Sequence, residues 1–185
     1  MLHHLGNLKS TDTVLIHGGA GGVGTAALQL CQWAGVSKVW ATASGHKGDI
    51  IKQYAGIPID RHKEDFVEIV KRETGGRGVD HILDPIGGEN LKRSLKVLAM
   101  GGKLYSFGMS AAAPTSKRSL LKAYFAWRKT PKFDPLKMMS RNQGVFGVHM
   151  GTWNDEAVIA EQLHRIIDGV NQGCLLYTSD AADEE

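Results

Sequence analysis

The stretch LIHGGAGGVGTAALQL, positions 15 to 30, passes from an apolar run through a glycine cluster straight into a helical pattern. Gly19, Gly21 and Gly24 satisfy G-x-G-x-x-G at the point where an expected strand, Thr13 to His17, meets an expected helix, Val23 to Ala34. In such a turn the first glycine permits a tight bend, the second lets the backbone approach a pyrophosphate, and the third lets helix and strand pack closely. The helix N-terminus then faces the anion with its partial positive charge. The bare spacing is a weak signal. A strand before it, a helix after it and a βαβ unit around it turn it into an expectation of dinucleotide binding.

The rest of the chain repeats that alternation. Lys38 to Ala43, Ile57 to Asp60, His81 to Asp84, Lys103 to Phe107 and Val145 to Val148 are short, β-branched and largely apolar, as strands buried on both faces are. Gly48 to Tyr54, Asp65 to Glu73 and Asn90 to Leu98 carry apolar residues at spacings of three and four, the helical period. Strict alternation of this kind predicts an α/β fold with a doubly wound, parallel, six-stranded sheet and right-handed crossovers, a Rossmann fold. Residues 109–143 form an insertion before the last strand.

Composition excludes several classes. At 185 residues, 42% hydrophobic and 22% charged, the chain is large enough for one ordinary domain core. No apolar run approaches the roughly 20 residues of a membrane-spanning helix, so a cytoplasmic location is the expectation. Two cysteines, Cys31 and Cys174, make neither a disulfide framework nor a metal site, and Cys31 sits among apolar helix residues. The net charge of +3 hides one basic segment: positions 117, 118, 122, 128, 129, 132, 137 and 141 are Lys or Arg, against the single acid Asp134. A basic surface spread over the fold, as nucleic acid binding needs, is not expected.

Candidate site residues follow from the strand ends. After the second strand, ATASGHKG places no Asp or Glu where an NAD-preferring domain usually carries one for the ribose 2′-hydroxyl. Ser44 and Lys47 stand there instead and suit a 2′-phosphate by hydrogen bond and charge, which favours NADPH. The alternative is that Ser44 caps the following helix and Lys47 is solvated. His17 is expected to be a packed residue, Asp84 an orienting residue before Pro85 and the Gly87-Gly88 turn, and His149 a neighbour of substrate or a surface residue. The eight histidines show no pairing at zinc spacing, so no metal is expected.

LGNLKSTDTVLIHGGAGGVGTAALQLCQWAG, ATAS, GVDHILDPIGGENL, GGKLYSFGM and GVFGVHMG together resemble the cofactor-binding domain of the zinc-free, zeta-crystallin-like quinone oxidoreductases of the medium-chain dehydrogenase/reductase superfamily. Within that group ATASGHK, PID, LDPIGG and GVHMG resemble the branch of synaptic vesicle membrane protein homologues. The resemblance covers residues 5–173 in order. It implies that Gly19, Ala20, Gly21, Gly22, Val23 and Gly24 hold the pyrophosphate and that Ser44 and Lys47 sit at the 2′-phosphate. It also implies that Phe107, Gly108, Phe146, Gly147 and Val148 line the ribose and nicotinamide. Relatives often carry IDY after the third strand; here the stretch reads IDRH, so Arg61 either adds a charge at the 2′-phosphate or is a solvated loop residue.

The resemblance further implies hydride transfer from NADPH to a quinone or α,β-unsaturated carbonyl, a homodimer joined through the sheet edge, and a GroES-like catalytic domain absent from this chain. No catalytic residue is assigned. Residues 1–8 resemble the end of an interdomain helix, and 9–173 form the dinucleotide-binding domain. The terminal CLLYTSDAADEE, residues 174–185, matches the translation of a library-preparation adapter and is expected to be non-native. Finally, KRSLLKAYFAWRKTPK, residues 117–132, has the composition of an interfacial helix with aromatic and basic residues. Its alternatives are a lid or dimer-contact helix, or peripheral contact with anionic membrane as part of a lipid- or vesicle-associated binding protein that retains the dinucleotide fold.

Overall fold

A computed structural model describes residues 1–110 and 128–176. Six strands make one parallel sheet: β1 (Thr13–His17), β2 (Lys38–Ala43), β3 (Ile57–Asp60), β4 (Val79–Asp84), β5 (Leu98–Ser106) and β6 (Gly144–Gly147). Their order across the sheet is β3-β2-β1-β4-β5-β6. The order reverses at β1, whose neighbours are β2 on one side and β4 on the other, so a crevice opens beyond the carboxyl ends of β1 and β4.

Alternation along β1 builds two cores. Val14 and Ile16 face α1 (Gly22–Trp33) and α2 (Gly48–Gln53), in a cluster that includes Leu28, Cys31, Ala41 and Ile51. Leu15 faces the opposite way, into a cluster with Trp40, Ile82, and Phe66 and Val70 of α3 (Phe66–Glu73). On that face α4 (Glu89–Ser94) contributes Leu91. Burial pushes the Cys31 thiol up to about 12, as befits a packed, unreactive cysteine. Two further helices are α5 (Pro135–Met139) and α6 (Glu156–Asn171).

Several boundaries differ from the sequence expectation: β4 starts at Val79, two residues before His81, and α1, α2 and α3 shift by one residue at one or both ends. The helix expected over Asn90 to Leu98 ends at Ser94, continues as a 3-10 turn over Leu95–Val97, and gives way to a strand at Leu98. β5 therefore starts well before Lys103. The glycines of AMGG look like a break, but the pairing register jumps there, from Val79 opposite Leu98 to His81 opposite Lys103, and Gly101 with φ of 76° absorbs the irregularity. β6 is shifted by one residue, although the Val148 N–H still donates to the Ser106 carbonyl at 2.9 Å and prolongs the pairing. The interfacial-helix expectation falls largely on residues 111–127, outside the described residues, as do 177–185 of the terminal peptide.

Candidate dinucleotide site

Parallel register gathers the candidate residues at one edge. His17 lies opposite Thr42, Ala43 opposite Asp60, Asp84 opposite Ser106, and Ser106 opposite Gly147. The residues that follow each strand thus form one row at the carboxyl edge: Gly18 to Gly24 after β1, Ser44 and Lys47 after β2, Arg61 after β3, Phe107 and Gly108 after β5, and Val148 after β6.

Gly18, Gly19, Gly21 and Gly24 each have a separate physical setting. The left-handed turn is made by Gly18, with φ of 69°, rather than by Gly19, to which the motif assigns the bend. Gly19 is required by contact: a Cβ there would stand 2.5 Å from the Ala41 Cβ on β2. At Gly24 a Cβ would run into the Gly18 carbonyl oxygen, so this glycine seats α1 on the loop. Gly21 is different. It is exposed, its extended backbone (φ −88°, ψ 169°) suits any residue, and the nearest atom to a Cβ would be the Gly18 oxygen at 3.4 Å. Besides glycine's acceptance at a helix N-cap, the open space leaves room for a close approach to the backbone from outside. Gly21 is also the N-cap of α1, no side chain caps it, and Gly22 and Val23 beside it are exposed, Val23 by 52%. Open N–H groups at the end of a helix of this length form an anion site. The loop's own spacing and the empty face over Gly21 fit a pyrophosphate.

Behind the loop lies a buried polar chain that the sequence reading left in pieces. The Asp84 carboxylate accepts hydrogen bonds from the Ile86 and Gly87 N–H groups at 2.8 and 2.9 Å and from Asn90 Nδ2 at 2.8 Å. It also takes the Ser94 hydroxyl at 3.3 Å. Ser94 Oγ lies 3.0 Å from His17 Nε2, and His17 Nδ1 lies 3.2 Å from Thr42 Oγ1. The Gly18 N–H in turn donates to Thr42 Oγ1 at 3.4 Å, and the Gly19 N–H to the Thr42 carbonyl at 2.9 Å. Burial drives the His17 imidazole down to about 4, against the nearby Asp84 charge, so the ring is neutral at pH 7. His17 is packed, edge-on to Phe66 at 4.7 Å, and Asp84 orients its own turn, as both were expected to.

Past the end of β2 Ser44 makes no side-chain cap to the 3-10 turn Gly45–Lys47, which leaves its hydroxyl outside the capping role. The Arg61 N–H donates to the Ala43 carbonyl at 2.9 Å and pins this exposed residue beside the end of β2. The Arg61 side chain reaches His62 at 3.2 Å. One residue escaped the sequence reading: the Asp60 carboxylate stands directly over Gly45, leaving no room for a Cβ there. Ser44 and Asp60 border a polar pocket of about 300 Å³ with Lys52, Lys63 and Glu64. A carboxylate thus stands beside the end of β2, contributed by the end of β3, which only the pairing of Ala43 with Asp60 reveals.

At the other end the β4 and β5 loops interlock. Gly108 passes so close to Pro85 that a Cβ would lie 2.6 Å from its carbonyl oxygen, and Gly87, with φ of 77°, sits under Gly108. Phe107 is half-buried against the α1-side core; Phe146 stacks on Tyr105 at 5.6 Å; Gly147 is exposed and Val148 buried. His149 is exposed. Among the described residues no three His, Cys, Asp or Glu side chains gather as metal ligands would.

Comparison with known proteins agrees with this geometry. The mouse synaptic vesicle membrane protein VAT-1 homolog is 33% identical over 175 residues, covering 94% of this chain. The chain spans 43% of that relative's length. A 2-haloacrylate reductase superposes with a TM-score of 0.74 at 25% identity, over 94% of this chain and 50% of the reductase. A mycobacterial protein, Rv1454c, solved as a complex with NADPH, gives a TM-score of 0.75 at 26% identity over 96% of this chain and 50% of its own. The family model described as zinc-binding dehydrogenase matches residues 22–165, and the chain belongs to that family, within the medium-chain dehydrogenase/reductase superfamily.

Proposed function

We propose that this chain is the NADPH-binding domain of an oxidoreductase that reduces a quinone or an α,β-unsaturated carbonyl. The observation that carries the reading is Gly21: an exposed helix N-cap whose backbone needs no glycine, at the switch point of the sheet, with no atom of the described residues nearer its would-be Cβ than the Gly18 oxygen at 3.4 Å. NADPH supplies a hydride from its nicotinamide when bound. The chain's own residues bind and orient. The open N–H groups of Gly22, Val23 and Gly24 receive the pyrophosphate, while the Gly21 N–H is spent on the Gly18 carbonyl. Ser44, Lys47 and Arg61 hold the 2′-phosphate, with Asp60 opposing them as the counterweight that keeps the preference over NADH modest. Phe107, Gly108, Phe146, Gly147 and Val148 form the wall at the nicotinamide. The acceptor is polarised by groups outside this chain, and the intact protein is a metal-free homodimer.

Gly21→Val tests the reading, because the site has room for a side chain in the fold but not beneath an anion. NADPH binding, followed by nicotinamide fluorescence, is expected to be lost while the thermal midpoint stays within a few degrees of the parent. A parent chain that binds neither NADPH nor NADH, or a variant that binds as the parent does, overturns the proposal.

A second reading has one observation behind it. Leu136 and Met139 on α5 are 75% and 70% exposed, with Lys132, Lys137 and Phe133 exposed around them. Apolar side chains among cations suit an anionic membrane surface. Salt-sensitive sedimentation with anionic vesicles favours this second role, and its absence leaves the domain a dinucleotide binder alone.

A further inference from the structure

Resting on the dinucleotide reading, we propose that His17, Thr42 and Ser94 are positioning residues that tie the pyrophosphate loop to the β4-end turn through a one-way hydrogen-bond chain. The direction of every link follows from its end. A carboxylate only accepts, so the Ser94 hydroxyl gives its proton to Asp84 and offers a lone pair to His17. The His17 proton is therefore on Nε2, and Nδ1 is the acceptor for the Thr42 hydroxyl. Thr42, its proton committed, accepts from the Gly18 N–H at the left-handed bend. Its backbone carbonyl takes the next N–H, that of Gly19.

The chain has no slack. His17, Thr42, Ser94 and Asp84 are all buried, none more than 3% exposed, so water does not replace a missing partner. Its two ends serve the two ends of the cleft. At one end Thr42 sets where Gly18 and Gly19 leave β1; the Gly18 carbonyl in turn accepts from the Gly21 N–H at 3.0 Å, and so the open N–H groups of Gly22 to Gly24 are aimed. At the other, Asp84 holds the Ile86 and Gly87 N–H groups in the turn that Gly108 packs against, beside the nicotinamide wall. Reversing a single link leaves two donors or two acceptors facing each other inside the core. The same four side chains placed merely to fill space need no such order, and a valine at position 42 would fill it as well as threonine.

The test compares Thr42→Val with Thr42→Ser in the full 185-residue chain. Thr42→Val keeps the shape and removes the hydroxyl; Thr42→Ser keeps the hydroxyl. NADPH affinity, titrated by fluorescence, is expected to fall about tenfold in the valine variant and to return to within about twofold of the parent in the serine variant. Ser94→Ala supplies a second handle should the valine variant not fold. Its NADPH affinity falls about threefold, and the His17 ring nitrogens, read by ¹⁵N NMR, lose the Nε2–H signature that the parent shows. Variants that change the melting temperature but bind NADPH as tightly as the parent overturn the positioning role while leaving the dinucleotide reading intact. A parent His17 protonated on Nδ1 overturns it too. A parent that binds neither dinucleotide overturns both.

Discussion

Helices α1 and α6 lie on the same side of the sheet and are both amphipathic, yet they meet opposite fates. α1 buries Gly24, Thr25, Ala27, Leu28, Gln29 and Cys31 between the sheet and its neighbours. α6 is longer, and Gly169, against Leu175 and Trp33, is its one buried residue. Ile159, Leu163, Ile166, Ile167 and Val170 are between 39% and 54% exposed. An apolar groove of about 320 Å³ runs between the two helices, past Trp33, Trp153 and Leu163. Periodicity shows which face of a helix is apolar; contact with a second surface decides whether that face contributes to stability.

The sharpest way to break this comparison is a pair of truncations. Leu28→Ala, at a fully buried α1 position, is expected to cost about 2–5 kcal/mol in urea unfolding. A cost no larger than that of a surface change would mean that the α1 face contributes no more to stability than the α6 face does. The next effect belongs to the glycine-loop half alone. His17 titrates near 4 in the fold and near 6.5 when unfolded, so the unfolded chain takes up a proton that the folded one refuses. Its contribution is intact above pH 6.5 and is lost as pH falls toward 4, by roughly 3 kcal/mol in full. Stability measured against pH in the parent and in His17→Phe separates this slope from that of the carboxylates; parallel curves would contradict it. The smallest effect sharpens the other side. Leu163→Ser on α6, 54% exposed, is expected to change stability by no more than about 0.5 kcal/mol. A loss of 2 kcal/mol or more would mean that the α6 face is covered in solution.

Legibility divides along the same line. The first three strands, Thr13–His17, Lys38–Ala43 and Ile57–Asp60, match their expected bounds, because each is a short β-branched run closed by polar or glycine residues. β5 was half-missed because Gly101 and Gly102 look like punctuation, whereas a register jump inside a ladder uses the same residues. In the site, the glycine spacing announced the loop but misassigned the bend, since a motif counts positions and Gly18 lies just outside it. Thr42 and Ser94 carried no signal at all. A threonine in a strand and a serine in a helix are unremarkable until the fold sets them either side of His17.

What the chain's order of residues settled by itself is local: alternating strand and helix periods, a helix that begins on glycines, and so a parallel sheet with an anion site at one edge. The tertiary structure alone decided which strand ends became neighbours. That placement brought Asp60 over Gly45 and closed the hydrogen bonds between Thr42, His17, Ser94 and Asp84, residues up to 77 positions apart in the chain. Hydrogen bonds and charges act over a few ångströms, whereas periodicity reports only on neighbours one or two turns away, so contacts across the sheet exist only once it is built.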